Sequence, residues 1–117
     1  MANGAFDEKR QFTRVVSVNL VTYKHFDDAG EIDETSMGRT RNISEGGILL
    51  EVFKHYPLFS IIELQIAIGE KIITPRGRVV RLQELEGGKV EMGIKFVELA
   101  PEDRDAIVAY VATHDPV

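Results

Sequence analysis

Apolar residues recur at every second position in run after run between Val15 and Phe96, and a period of two belongs to strands. The first run spans Val15 to Tyr23, with Val16, Val18 and Leu20 on one face and Ser17 and Asn19 on the other. Met37 to Arg41 predicts a second strand, leading into a glycine turn. Ile48, Leu50 and Val52 alternate with Leu49 and Glu51 in a third. Ile62, Leu64, Ile66 and Ile68 stay in phase through a fourth, Ile61 to Ile68. A fifth runs from Ile72 to Gln83 and is broken near Pro75 and Gly77, where a bulge or bend is expected. The turn Glu86-Gly87-Gly88-Lys89 leads to a sixth, in which Val90, Met92, Ile94 and Phe96 alternate with Glu91, Gly93 and Lys95. There the period changes. Pro101 sits where proline favours a helix start, and Glu102 and Asp103 suit the positive first turn. Ile107, Val108 and Val111 form the stripe of a short amphipathic helix over residues 101–113.

Six short strands without crossover helices predict an all-β antiparallel domain. Closure into a six-stranded β-barrel is the expected solution, since it leaves no sheet edge exposed. The short C-terminal α-helix would cover one opening or pack on the side. A chain of 117 residues is one domain, large enough for a core without staples. Residues 1–9 read as a tail and residues 10–117 as the domain. Lys24 to Thr35 reads as a polar, acidic loop. No apolar run reaches the roughly 20 residues of a membrane span, so membrane insertion is not expected. The polar start Met1-Ala2-Asn3-Gly4 has no apolar signal core, and a cytoplasmic protein is expected. Without cysteine there is no disulfide, thiol catalysis or cysteine-based zinc site.

The formal net charge of −5 argues against a general binder of DNA or RNA, whose affinity rests on many phosphate contacts. The charge is uneven, however. Acids crowd residues 27–34, whereas Lys9, Arg10 and Arg14, then Arg39 and Arg41, then Lys71, Arg76, Arg78 and Arg81 form basic stretches. A local patch suffices for a small anion. Arg10-Gln11-Phe12-Thr13-Arg14 is an R-x-x-x-R, and forked guanidiniums hold phosphate oxygens bidentately. In extended chain the two arginines lie at most about 14 Å apart. Asn42-Ile43-Ser44-Glu45-Gly46-Gly47 is an N-x-S-x-x-G, offering an amide, a hydroxyl and two glycines beside them. Taken singly, each pattern also has an ordinary reading: chance spacing of surface arginines, and a turn in which Asn and Ser bond to nearby backbone. Together they describe a site for a compact nucleotide with two charges.

The order of these motifs, with a strand-loop-strand between them, resembles the PilZ family. So do Glu8 to Val15 as an opening segment and Asn42 to Leu50 as the second motif with its strand. Gly77-Arg78-Val79-Val80-Arg81 and Met92-Gly93-Ile94-Lys95-Phe96, followed by Pro101-Glu102-Asp103-Arg104, extend the likeness over nearly the whole chain. One departure is Asn42, where many members have Asp. The resemblance implies a non-enzymatic receptor for cyclic di-GMP that needs no cofactor, rearranges its N-terminal arm on binding, and passes the signal to a protein partner. It implies that Arg10 and Arg14 hold phosphate oxygens, that Asn42 and Ser44 meet guanine or ribose edges, and that Gly47 keeps the surface open. Lys9, Gly46 and Arg41 are additional candidates.

Two rival functions belong to other classes. One is a PilZ-like adaptor that has lost the nucleotide and works through protein contacts; the complete motifs speak against it. The other is an OB-like barrel for single strands, which needs a basic groove with exposed aromatics. His25, His55 and His114 lack metal-ligand spacing, and the acids of residues 27–34 lack that of an EF-hand. Phe53, Tyr56 and Phe59 read as core or rim residues.

Overall fold

A strand with one apolar face must bury that face, and here the sheet does so by closing on itself. The structure, a computed structural model, describes residues 14–16 and 19–114. Its strands are β1 (Val15–Val16), β2 (Leu20–Phe26), β3 (Ile32–Ile43), β4 (Gly47–Val52), β5 (Ile61–Ile68), β6 (Lys71–Ile73), β7 (Arg76–Glu84) and β8 (Val90–Glu98). One helix, α1 (Pro101–Ala112), follows. Six strands pair in the order β3-β2-β5-β7-β8-β4, and β4 returns to β3, so the barrel is closed. Every pairing is antiparallel. The two short strands lie off the ring, β1 against β3 and β6 against β5. The expected six-stranded barrel with a C-terminal helix is therefore the observed fold.

The inward faces supply the core. Ile62, Leu64 and Ile66 of β5 meet Ile43, Ile48, Leu50, Val79 and Met92 from the surrounding strands, all fully buried or nearly so. Full burial of one such side chain stabilises by about 1.5–3 kcal/mol. Ile107 brings α1 into the same core. Asp103 of α1 accepts from the Thr74 amide at 3.2 Å, which ties the helix to the break between β6 and β7. Pro75 makes that break because it lacks an amide for the ladder.

Four expectations need correction. The run Val15 to Tyr23 is two strands, β1 and β2, rather than one. Its inward face is also the other one: Val15, Val21 and Tyr23 are buried, whereas Leu20 is 64% exposed. The acidic loop is mostly strand. β2 continues to Phe26, β3 begins at Ile32, and only a tight turn lies between. Asp27 accepts from the amides of Ala29 and Glu31, both at 2.9 Å, so local hydrogen bonding folds this tip without apolar help. In α1 the inward stripe includes Ile107, with Tyr110 and Val111 packed beside it, but Val108 faces out. Of the three aromatic residues, Tyr56 is buried while Phe53 and Phe59 are exposed. Among the described residues, no helix is long and apolar enough to cross a membrane.

Candidate functional site

Strict alternation along β3 would point Asn42 into the barrel, because Gly38 and Thr40 already face inward. The pairing with β4 shifts between Thr40, opposite Leu50, and Asn42, opposite Leu49, so Arg41 is an extra residue. This bulge turns Asn42 to the outer side and Ile43 into the core, where Ile43 is fully buried. A bulge re-aims a side chain in just this way. Asn42 therefore stands half-buried on the barrel's outer surface, next to the β3–β4 turn.

The turn itself is built on Ser44. The Ser44 amide donates to the Gly47 carbonyl at 2.9 Å. The Ser44 hydroxyl accepts from the amides of Gly46 at 3.1 Å and Gly47 at 3.3 Å. The Gly46 carbonyl accepts from the Phe96 amide at 3.0 Å, which binds the turn to β8. Gly47 has a structural reason of its own. A Cβ there would lie 2.3 Å from the Ile94 carbonyl oxygen, so only glycine lets β4 and β8 approach. With Ser44 only 1% exposed, its hydroxyl shapes the turn rather than lying open to solvent.

Arg14 enters from the start of β1. Pairing of Val15 with Ile43 and of Val16 with Asn42 fixes where the arginine falls. Its Nε donates to Asn42 Oδ1 at 2.6 Å, and its Nη1 donates to Ser44 Oγ at 3.1 Å. The two motifs of the sequence thus meet through hydrogen bonds that span 28 and 30 residues. Both acceptors are neutral. Burial, and then the neighbouring charge of Arg81, lower the pKa of the Arg14 guanidinium. Burial and a like charge disfavour a cation in that setting, and an anion beside it would relieve it.

Other charges surround this corner. Arg41, the extra residue of the bulge, is exposed and donates to Glu51 at 3.1 Å. Lys89 lies 3.7 Å from the same carboxylate. Arg81 donates to Glu91 at 3.0 Å, and Arg104 lies 3.5 Å from Glu45 beside the turn. Arg10 and Lys9 lie outside the described residues. The structure therefore brings together Arg14, Asn42, Ser44, Gly46 and Gly47, with Arg41 at the rim. Arg81 was absent from the candidates read in the sequence. Its place follows from strand register, which the arrangement of basic residues along the chain does not reveal. The described hydrogen-bond partners of Ser44 include no base to activate it. No group of three or more metal-ligating residues occurs among the described residues.

A family model described as the PilZ domain matches residues 8–113. Several solved structures share the fold. The inhibitor of motility MotI of Bacillus subtilis superposes with a TM-score of 0.75 at 23% identity, covering 88% of this chain and 49% of that one. The PilZ domain of YcgR from Escherichia coli, solved with c-di-GMP, gives a TM-score of 0.67 at 11% identity, with 91% of each chain covered. The MrkH complex with c-di-GMP from K. pneumonia gives 0.65 at 15% identity, covering 88% of this chain and 50% of that one. This chain thus spans about half the length of MotI and of MrkH. No curated protein sequence matches it.

Proposed function

This chain belongs to the PilZ domain family, and from that premise we propose that it is a receptor for cyclic di-GMP. The observation that carries the reading is the Arg14 fork resting on two neutral acceptors, Asn42 and Ser44. Such a corner is a cation pre-positioned for an anion. Arg14 takes a phosphate oxygen, exchanging neutral acceptors for a charged one. Arg10, four residues earlier, holds the ligand from the other side. Asn42, held outward by the Arg41 bulge, presents its amide to a guanine or ribose edge. Ser44, Gly46 and Gly47 act one step back, by holding the turn that fixes Asn42 and Arg14. Lys9 and Arg41 add charge at the rim. The solved YcgR and MrkH complexes, which contain c-di-GMP on the same fold, support the choice of ligand.

Binding rather than catalysis is the output. The ligand engages Arg10 and Arg14 together, so it rearranges the N-terminal arm and changes the surface offered to a protein partner. Calorimetric titration with cyclic di-GMP tests the reading, since it returns affinity and stoichiometry together. Saturable binding that is lost in Arg14→Ala is expected. No heat of binding at high protein concentration would remove the receptor reading and leave the adaptor. Hydrogen exchange of the free and bound protein tests the arm. Increased protection across residues 1–14 on binding is expected, and equal protection in both states counts against the switch.

A further inference from the structure

The Arg41 bulge has a counterpart across the barrel wall. In β7, Gly77 and Val79 face inward, so alternation would send Arg81 inward as well. The pairing with β8 shifts between Val79, opposite Ile94, and Arg81, opposite Gly93, which makes Val80 the extra residue. Arg81 is thereby turned to the outer face, with its side chain 45% exposed, and Leu82 takes up the inward phase. Register then places four residues in one row on that face. Asn42 lies opposite Leu49, Leu49 opposite Gly93, and Gly93 opposite Arg81. Directly opposed residues of antiparallel strands share a side of the sheet. Three strand spacings separate the ends of the row, about 14 Å in all. Two independent bulges, in the two outer strands, thus aim two polar side chains at the ends of a single row.

Between those ends the row consists of Leu49 and Gly93, both half-buried. Gly93 contributes only backbone. A Cβ there would lie 3.3 Å from Arg81 Cβ, 3.8 Å from Leu49 Cδ1 and 3.9 Å from Arg81 Nε, so both side chains border the position and Arg81 reaches over it. A phosphate gains nothing from such a floor, but the face of a purine does. Hydrogen-bonding groups stand at its edges: Arg14 and Asn42 on one side, Arg81 on the other. Glu91 accepts from Arg81 Nη2 at 3.0 Å and steadies the guanidinium, whose fork has five donors. The Arg81 charge also lowers the Arg14 pKa, as expected if both face the same space.

We propose that Arg81 is a third arginine of the site and reads the O6/N7 edge of a guanine lying on the floor formed by Leu49 and Gly93. The inference rests on the cyclic di-GMP reading above and assigns the specificity of that site. Guanine presents two adjacent acceptors to a guanidinium fork, whereas adenine puts a donating amino group in place of O6. Arg81 therefore selects guanine over adenine. Lysine, a point charge without the fork, would keep attraction but not this discrimination.

The test measures affinity for cyclic di-GMP and for cyclic di-AMP, directly or by competition, on wild type, Arg81→Ala, Arg81→Lys and Arg14→Ala. Circular dichroism confirms that each variant is folded. The expected result is that Arg81→Ala weakens cyclic di-GMP by about 10- to 100-fold and cyclic di-AMP far less, so that the ratio collapses. Arg81→Lys should recover some affinity for both ligands but not the ratio. Arg14→Ala should weaken both. If Arg81→Ala leaves the affinity for cyclic di-GMP intact, or weakens both ligands equally, the guanine-reading role is overturned while the receptor reading stands. If wild type does not bind cyclic di-GMP, the receptor reading falls and this inference falls with it.

Discussion

Arg14 is half-buried against two neutral acceptors and a like charge, so removing it should affect binding far more than folding. Arg14→Ala should weaken cyclic di-GMP binding by about 2 kcal/mol or more, because charge-assisted hydrogen bonds are lost. The free protein should change in stability by no more than about 1 kcal/mol, because relief of a desolvated cation offsets two lost hydrogen bonds. Calorimetry and thermal unfolding of one sample check both halves. A large fall in stability would mean that Arg14 is chiefly a structural clamp. Gly47 predicts the reverse pattern. A methyl group there would meet backbone, the Ile94 carbonyl at 2.3 Å, which no rotamer change can relieve. Gly47→Ala should cost about 2–4 kcal/mol of stability as β4 and β8 are forced apart. Denaturant unfolding measures it, and a shift below about 0.5 kcal/mol would show that the strands can separate freely.

Among the elements, β2 and β3 share a polar cluster with the segment that follows β4. Tyr56, just beyond β4, donates to Glu34 at 2.9 Å and accepts from the Tyr23 hydroxyl at 2.9 Å, while Glu34 also pairs with Lys54. Burial, and then the hydrogen bonds to Tyr23 and Glu34, raise the Tyr56 pKa far above its ordinary value. A tyrosine that ionises less readily when folded contributes stability that is whole below the unfolded value, about 10. That contribution declines as pH rises past this value, where only the unfolded chain gives up its proton. Urea midpoints at about pH 8 and about pH 10.5 should therefore fall more steeply for wild type than for Tyr56→Phe. Parallel pH dependence in the two proteins would show that Tyr56 does not couple to folding. The elements most legible in the sequence were those with unbroken apolar alternation, β4, β5 and β8. β3 was half hidden, because Asp33 to Ser36 are all polar, so the alternation of exposed and half-buried positions there leaves no apolar pattern in the sequence. β2 was read in the wrong phase, since Leu20 is an apolar residue on the outer face. Motif residues were legible because Asn42 and Ser44 keep fixed spacing. Arg81 was not, because a bulge at Val80 decides its side and adjacent valines read equally well as regular strand.

On the scale of the whole molecule, the distribution of charge decides what the site admits. The chain carries a net charge of −5, yet the outer face around β3, β4, β7 and β8 gathers Arg14, Arg41, Arg81 and Lys89. Glu51 and Glu91 lie among them and pair with three of the four, so the excess positive charge is local. A small anion meets that patch alone. A long single strand must also lie over acidic surface elsewhere, such as the β2–β3 tip with Asp27, Asp28 and Glu31. Repulsion there is felt within a Debye length, about 8 Å at physiological salt. Linear GMP escapes that penalty but supplies one phosphate and one base, so it would satisfy only part of the proposed Arg10, Arg14 and Asn42 set. Each buried polar group left unpaired costs about 1–3 kcal/mol. The expected ranking is cyclic di-GMP far above linear GMP, with single-stranded oligonucleotides no better than GMP at equal salt. Competition against a fluorescent cyclic di-GMP at fixed ionic strength measures it. Raising the salt should weaken cyclic di-GMP modestly, as befits two phosphates, and not by the several powers of ten that many phosphate contacts would give. Displacement by an unrelated oligonucleotide at comparable site concentration, with a steep salt dependence, would reverse the assignment in favour of a single-strand binder.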